Sequence, residues 1–468
     1  MPLIQDYIEN RTFDEIVIGE AATLTRTLRP EDIQMFAILS GDINPALVDP
    51  EYAHSTMFHE VIAHGMWGGA LISTVLGTQF PGPGTIYVDQ TLHFERPLRI
   101  GDTLTLTLTC QQKFAHNHHV IIDCRGVNQE GQLVLSGTAE VLAPTEKVRR
   151  PRQDMPELHL TPSRHSRFEH LLQITAGLEP IAMAVVHPCD AESLKGALMA
   201  RDRGLIVPTL IGPESKIRSL AATNQLDLAG CTLINAEHSH AAAETAVALA
   251  RACKVEALMK GSLHTDELMS AVVDKTSGLR TARRISHAFL MSVPSYPRLL
   301  MITDAAVNVA PTLADKVDIV QNAIDLARML KIAEPKVAIL AAVETVNPEM
   351  QATLDAAALC KMADRGQITG GVLDGPLAFD NAISMVAART KGIKSAVAGQ
   401  ADILLVPDIE SGNMLAKQLE YLADALACGI VLGARVPIVL TSRADSAETR
   451  TASTAVAMVM AHAKRAPR

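Results

Sequence analysis

From about Ser166 onward the chain alternates short apolar, β-branched runs with Ala- and Leu-rich runs of helical length, and few folds accommodate that pattern. The strand-like runs fall at 182–186, 205–211, 232–234, 257–259, 299–302, 337–341, 371–373, 403–406 and 438–440; helical runs such as 313–330 and 350–365 fill most of the gaps. This β–α succession predicts a mostly parallel sheet with helices on both faces, a doubly wound α/β domain. Polar residues appear abruptly after the strand ends: Lys260-Gly261-Ser262, Thr303-Asp304, Glu344-Thr345, Asp374-Gly375, Pro407-Asp408 and Ser442-Arg443. The carboxyl edge of an open parallel sheet is where such domains bind their ligands.

The last of these joints carries the most chemistry. Val436 to Leu440 reads as a buried strand, and an Ala-rich helix runs from Ala444 to Met460. Between them Ser442 offers a hydroxyl, Arg443 a planar fork and the helix start its free N–H groups, a set that suits a phosphate. The same residues fit a plain strand–turn–helix joint, with Asp445 as N-cap and Glu448 completing a capping box. Neither a Gly-x-x-x-x-Gly-Lys-Ser/Thr loop nor a Gly-x-Gly-x-x-Gly fingerprint occurs, which argues against an ATPase or a Rossmann dehydrogenase. An isolated aspartate such as Asp304 or Asp374 also reads as a turn or cap residue.

The totals narrow the partners. A length of 468 residues allows two large domains or about three average ones. With 42 basic and 51 acidic residues the formal charge is −9 and no basic run occurs, so nucleic acid is not an expected partner. Seven scattered Cys without a Cys-x-x-Cys pair fit a reduced cytoplasmic protein with neither disulfides nor a zinc site. The opening Met1-Pro-Leu-Ile-Gln-Asp6 does not read as a signal peptide. The longest uncharged run, Gly65 to Val88, is broken by Gln79 and by Pro81-Gly-Pro-Gly84, so no membrane span is expected.

Before Ser166 the pattern differs. A long apolar helix is expected over 57–79, followed by β-rich runs at 86–94, 103–110, 120–127 and 133–142. The run 103–110 alternates Thr and Leu with the period of a half-buried strand. One buried helix followed by consecutive antiparallel strands reads as a sheet wrapped around that helix, an α+β domain over 1–145. His116-x-His118-His119 has no carboxylate or Cys at ligand spacing and reads as a solvated hairpin rather than a metal site. The charged, Pro-containing residues 146–165 read as an exposed linker, and 166–468 as the second domain.

Ser40-Gly-Asp-Ile-Asn-Pro45, Ile62-Ala-His-Gly-Met66, Pro83-Gly84 and Phe94-Glu-Arg-Pro-Leu-Arg-Ile-Gly-Asp102 resemble, in order and at family spacing, the MaoC-type hydratases of the hot-dog fold. The resemblance implies addition of water across the double bond of an enoyl-CoA by an Asp and a His five residues later. Asp42 takes the Asp position, and the His position is held by Leu47. Asn44 is retained, as is the backbone N–H of Gly65, which polarises the thioester carbonyl in the family. Hydration needs an acid and a base around one water, and Leu carries no proton. The expectation is therefore a domain that docks an enoyl-CoA but hydrates it poorly or not at all. The alternative is a non-catalytic oligomerisation or docking module. His64, in the family's His-Gly-Met signature, reads as a structural histidine at the helix start.

The second domain is similar, in seven blocks, to the phosphate acetyltransferase/butyryltransferase family, and to its butyryl branch most closely. The blocks are Leu258-Met-Lys-Gly-Ser-Leu-His-Thr-Asp266, Gly278-Leu-Arg-Thr-Ala-Arg-Arg-Ile-Ser-His287, Leu300-Met-Ile-Thr-Asp-Ala-Ala306, Val343-Glu-Thr-Val-Asn-Pro348, Leu373-Asp-Gly-Pro-Leu-Ala-Phe-Asp-Asn381, Glu410-Ser-Gly-Asn-Met414 and Val439-Leu-Thr-Ser-Arg-Ala-Asp445. The fold implied is a hot-dog domain followed by a doubly wound, two-subdomain phosphotransacylase. That order resembles chains described as bifunctional enoyl-CoA hydratase/phosphate acyltransferases.

The implied reaction is acyl-CoA + phosphate ⇌ acyl phosphate + CoA, with CoA and phosphate as substrates and neither cofactor nor metal. On that resemblance Arg443 and Arg280 hold phosphate and Ser442 donates to the developing oxyanion or to the phosphate. Lys260 and His264 lie on the facing subdomain's loop, and Asp304 joins the substrate-binding set. A carboxylate takes the thiol proton when CoA attacks. The acetyl branch places an Asp seven residues after the Ser; here that position is Thr449, leaving Asp445 first and Glu448 second. A homo-oligomer built on dimers is expected.

Overall fold

The computed structural model describes residues 7–155, 160, 163–442 and 445–465. They fall into two compact units, Met1–Leu160 and Thr161–Arg468.

In the first unit, helix Gly65–Thr78 buries Trp67, Leu71, Ile72, Val75 and Leu76 against a sheet. Its strands run in the order Ala21–Thr27, Thr103–Phe114, His119–Val127, Leu133–Leu142 and Ile86–Gln90, each antiparallel to the next. The Thr/Leu alternation acts as expected: Leu104, Leu106 and Leu108 are fully buried. On the other face Thr25 and Thr27 pair with Thr105 and Thr103 through their hydroxyls. Helix and sheet approach so closely at Gly68 that a Cβ there would stand 2.3 Å from Leu135 Cδ2.

Two boundaries differ from expectation. The helix begins at Gly65 and not at residue 57, because Ile62 forms a β-bridge with Arg99 and holds the preceding chain extended. The stretch 146–165 is also not a bare linker. Arg149–Pro151 pairs antiparallel with Tyr7–Glu9, Lys147 bonds Glu15 at 2.8 Å, and the Asn10 amide bridges Pro83 and Glu146 carbonyls. Residues 164–165 open helix Arg164–Leu172.

The second unit is built on one eleven-stranded sheet. Across it run Thr232–Asn235, Ile206–Gly212, Ile181–Val186, Ala257–Lys260 and Ile438–Val439, all parallel. Leu426–Leu432 and Ser286–Ser292 follow, antiparallel to both neighbours and to each other. Leu299–Thr303, Ile403–Leu405, Lys336–Leu340 and Val372–Leu377 form a second parallel block. The two central strands were not announced by the β–α alternation. Both are almost wholly buried, so they read as continuous apolar runs without the period that marks a half-buried strand. Their presence reverses the sheet: the two parallel blocks point in opposite directions and carry two opposed carboxyl edges.

Candidate active site

On the first block's carboxyl edge, neighbouring strands end in Lys260 and in Leu440-Thr441-Ser442. Lys260 is 2% exposed, and its Nζ lies 3.5 Å from the Thr441 carbonyl. Gly261 and Ser262 then cross the adjacent strand end, donating backbone N–H groups to Val186 O (2.9 Å) and His187 O (2.8 Å). A Cβ at Gly261 would stand 2.4 Å from Val186 O, so this crossing requires glycine. The Ser442 N–H donates to Asp445 Oδ2 at 2.7 Å, and the Asp445 N–H returns to Ser442 O at 3.2 Å, closing a tight turn. Arg443, which the sequence pairs with Ser442, lies outside the described residues.

Asp445 is not the helix cap. The helix is Ala447–Arg465, and Ser446 Oγ accepts the Thr449 N–H at 3.3 Å, which is the cap interaction. Asp445 is thereby left for other work. Its carboxyl is buried and its Oδ1 has no hydrogen-bond partner. Lys417, on helix Ile409–Leu422, stands 3.7 Å from that oxygen. Burial pushes the Asp445 carboxyl above its ordinary range, and Lys417 and the Ser442 N–H pull the other way without cancelling it. Glu448, the second candidate, faces Arg164 at 3.9 Å on the exposed side. Thr449, at the acetyl-branch Asp position, is 2% exposed.

Three other expected site residues sit elsewhere. His264 follows Lys260 on the same loop, but it starts helix Thr265–Val273, its N–H donates to Glu267 Oε2 at 2.7 Å, and its ring is exposed. Arg280 forms a bridge with Ala434, beyond the carboxyl end of strand Leu426–Leu432. Leu440, next to Ser442, pairs with Gly429 near that strand's start. The Arg280 backbone thus lies past the far end of that strand, whereas Leu440 meets it near its start.

Asp304 lies on the second block's opposed edge. Its Oδ1 accepts from Ala306 and Val307 N–H, and its Oδ2 from His287 N–H and the Asn308 amide at 2.5 Å. Both oxygens accept hydrogen bonds within the fold, so Asp304 holds its own turn in this structure. The reversal of the sheet places Asp304 and the Arg280 backbone at the edge opposed to the Lys260 and Ser442 strand ends; it rests on the two strands that the sequence pattern hid.

The sequence reading missed Arg450. It is fully buried, one helical turn past the cap, and its guanidinium reaches both loops of the site. Nη1 donates to Lys260 O (3.1 Å) and Thr441 Oγ1 (2.9 Å), and Nη2 to Ser442 O (3.0 Å). A lone Arg in an Ala/Thr-rich helical run, one residue past Thr449, was the available signal.

In the first unit Asp42 follows helix Pro30–Ser40 on an exposed turn, accepting the Asn44 N–H at 3.3 Å. Asn44 caps the short helix Pro45–Val48, its side chain taking the Ala46 N–H at 3.1 Å. Leu47 is half-buried in that helix. His64 stands beside Asp42: Nε2 is 3.0 Å from the Asp42 carbonyl and 4.0 Å from its carboxylate. With Nε2–H given to that carbonyl, Nδ1 is the acceptor nitrogen, and it is buried without a partner. His64 therefore positions the Asp42 turn through Nε2, and its partnerless Nδ1 is shut away from solvent. A cavity of ≈ 370 Å³ opens next to it, lined by Phe58, His64, Gly65, Gly68, Phe94 and Leu135 among others. Gly65 sits under the Phe94 ring, which a Cβ would meet at 3.4 Å.

Comparison with known proteins separates the two units. Residues 237–458 match the family model described as phosphate acetyl/butaryl transferase, and 16–125 the MaoC like domain. The phosphate acetyltransferase of Rickettsia prowazekii is 62% identical over 291 residues, 62% of this chain and 83% of that protein. The chain belongs to the phosphate acetyl/butyryltransferase family. It is a phosphate acyltransferase preceded by a MaoC-like hot-dog domain.

The phosphate butyryltransferase of Clostridium acetobutylicum is 42% identical over 294 residues, covering 63% of this chain and 98% of the relative. The likeness to the butyryl branch is thus the weaker of the two, which corrects the sequence reading. A branched-chain phosphotransacylase from Enterococcus faecalis, known as a crystal structure, superposes with a TM-score of 0.54 at 29% identity. It covers 60% of this chain and 99% of that one. Among the described residues no group of His, Cys, Asp and Glu is arranged to hold a metal ion, and no helix is long and apolar enough to cross a membrane.

Proposed function

We propose that the second unit transfers short-chain acyl groups reversibly between coenzyme A and inorganic phosphate at the Ser442–Asp445 turn. The observation that carries this is the buried Asp445 carboxylate, bonded through Oδ2 to the Ser442 N–H and with Oδ1 free of hydrogen bonds 3.7 Å from Lys417, on a strand end that neighbours the one ending in Lys260. Two anions must meet one carbonyl, so the site needs fixed cations and oriented donors. Lys260 and Arg443 supply charge, and Ser442 donates to phosphate or to the developing oxyanion. When CoA attacks an acyl phosphate, Asp445 takes the thiol proton; in reverse it returns that proton to the leaving thiolate. A carboxyl raised towards working pH suits both directions. No cofactor enters, and we place the enzyme in the cytoplasm.

We further propose that the first unit docks an enoyl thioester in the cavity beside Gly65 but hydrates it poorly or not at all. Asp42 orients a water, Leu47 offers no proton, and His64 is held by the Asp42 carbonyl. The rival reading, a docking or oligomerisation module only, rests on the same leucine. The sheet edge at Ile86–Gln90 exposes Ile86, Tyr87 and Val88. An open apolar edge of this kind favours a symmetric pairing of chains, so we propose a homo-oligomer built on dimers. Light scattering that reports a monomer in dilute solution overturns that part.

The deciding assay follows CoA release from acetyl-, butyryl- and crotonyl-CoA with and without phosphate. Phosphate-dependent release from the saturated thioesters is expected. Release that ignores phosphate removes the transferase reading.

A further inference from the structure

Arg450 is among the largest fully buried side chains of the protein, and the carboxylates whose field reaches it, Asp190, Asp445 and Glu192, stand beyond ion-pair distance. Its guanidinium is held by two carbonyl oxygens and one hydroxyl, and its Nε has no partner. Among the described residues no carboxylate reaches ion-pair distance. Each of the acidic groups that face it also has a nearer partner. Asp190 caps helix Ala191–Asp202 through the Ser193 N–H. Glu192 accepts the Ala447 N–H and approaches Lys195. Asp445 closes the Ser442 turn beside Lys417. The arginine is also given deliberate room: a Cβ on Gly196 would stand 2.8 Å from Arg450 Cβ.

A buried charge without a carboxylate in direct contact is costly, and an anion brought close to it would lower that cost. The guanidinium donates to the Lys260 and Ser442 carbonyls, so its positive charge stands directly against both loops. We propose that Arg450 is the charge that seats the phosphate: an oxyanion bound at Ser442 and Lys260 is the missing counter-ion of this buried arginine. It is a positioning residue, acting through the two loops and through its field, and it does not touch the reacting atoms. The inference rests on the Ser442 site being the phosphate site.

The test compares Arg450→Lys with Arg450→Met in the full-length chain. Both lose the fork that binds three oxygens, but only the methionine loses the charge. Two quantities are read: the rise in Tm on adding inorganic phosphate, and the KM for phosphate. Wild type and Arg450→Lys are expected to gain stability with phosphate, since a ligand bound to the folded state raises Tm. Arg450→Met is expected to lose that gain and to raise the phosphate KM by about tenfold or more, with kcat falling less. A merely structural arginine lowers Tm in both variants and leaves the phosphate-induced rise intact; that result overturns the proposal, as does equal loss in both.

If Arg450→Met does not fold, Gly196→Ala takes its place, because the added methyl presses the arginine off its carbonyls. A raised phosphate KM is then expected, and an unchanged one overturns the proposal. Wild-type enzyme that shows no phosphate-dependent CoA release defeats the site assignment itself. Release in wild type with an intact phosphate response in Arg450→Met defeats this inference alone.

Discussion

Asp42 and Asp445 occupy similar turns in the two units and have very different surroundings. Each carboxylate accepts a backbone N–H two or three residues away, from Asn44 at 3.3 Å and from Ser442 at 2.7 Å. The Asp42 side chain is 51% exposed, its neighbour His64 is tied to a carbonyl, and on the proposed reading Leu47 stands where an acid–base partner would be needed. The Asp445 side chain is 3% exposed, with a cation 3.7 Å from its unpaired oxygen. A turn can aim a carboxylate, but burial and a placed opposite charge bring its ionisation into a useful range. One unit retains the aim without the partner; the other has both.

The largest test of that contrast adds the missing partner. Leu47→His is expected to raise hydration of crotonyl-CoA by about 10²–10⁴-fold, the usual worth of a positioned acid–base group. Loss of the crotonyl absorbance follows it, and Asp42→Asn on that background should abolish the gain. Robust hydration by the unaltered chain breaks the comparison, because a proton would then come from a group other than the residue at position 47. Next in size, Ser442→Ala is expected to lower acyl transfer by about 100-fold or more, as loss of an oxyanion donor does. Arg443→Ala should match it. Near-normal turnover in both removes the turn from the mechanism.

Asp445→Asn separates base from scaffold. Its capping role has passed to Ser446, so the amide costs no helix end. In the CoA-attacking direction the ionised carboxylate is needed, and turnover should rise with pH through an ionisation above the usual carboxylate range. The asparagine variant should lose that limb and most of the rate. Stability moves oppositely. A carboxyl raised in the folded state contributes stability below its unfolded pKa, and this is lost as pH rises through the folded value. The variant should therefore be at least as stable as wild type at neutral pH, as a melt at two pH values can check. Glu448→Gln, on the exposed Arg164 side, should change little.

How much of this was open to the sequence depended on local signals. The Thr/Leu alternation of 103–110 placed a half-buried strand, and the polar joints after apolar runs placed the Lys260 and Ser442 loops. Helix Gly65–Thr78 was legible in kind, but its start was set by the Ile62–Arg99 bridge, a contact distant in sequence. The central strands Leu426–Leu432 and Ser286–Ser292 were hidden because burial on both faces erases periodicity. Their loss concealed the sheet reversal that puts Asp304 and the Arg280 backbone at the opposed edge. Arg450 left only a weak trace for a related reason: a lone basic residue in an Ala/Thr-rich run marks a position but does not show that the helix around it is buried.

The smallest effect sharpens the comparison most, because it changes the surroundings of Asp445 and leaves the carboxylate alone. Lys417 favours its ionised form from 3.7 Å, and Glu420, bonded to Lys417 at 2.7 Å, opposes it. Lys417→Met therefore removes a charge that lowers the Asp445 ionisation, and the rising limb of the pH–rate profile should move to higher pH. Glu420→Gln removes a charge that raises it, and the limb should move lower. Lys417 is partly solvated and shared between two carboxylates, so each shift should be about one pH unit or less. The rate change is then several-fold on the limb and negligible above it. Opposite displacements from two neighbouring substitutions identify the titrating group as one that feels both charges, and Asp445 is the carboxylate placed to do so. Shifts in the same direction, or none, would mean that the limb belongs to another group and that the buried carboxylate serves the turn alone.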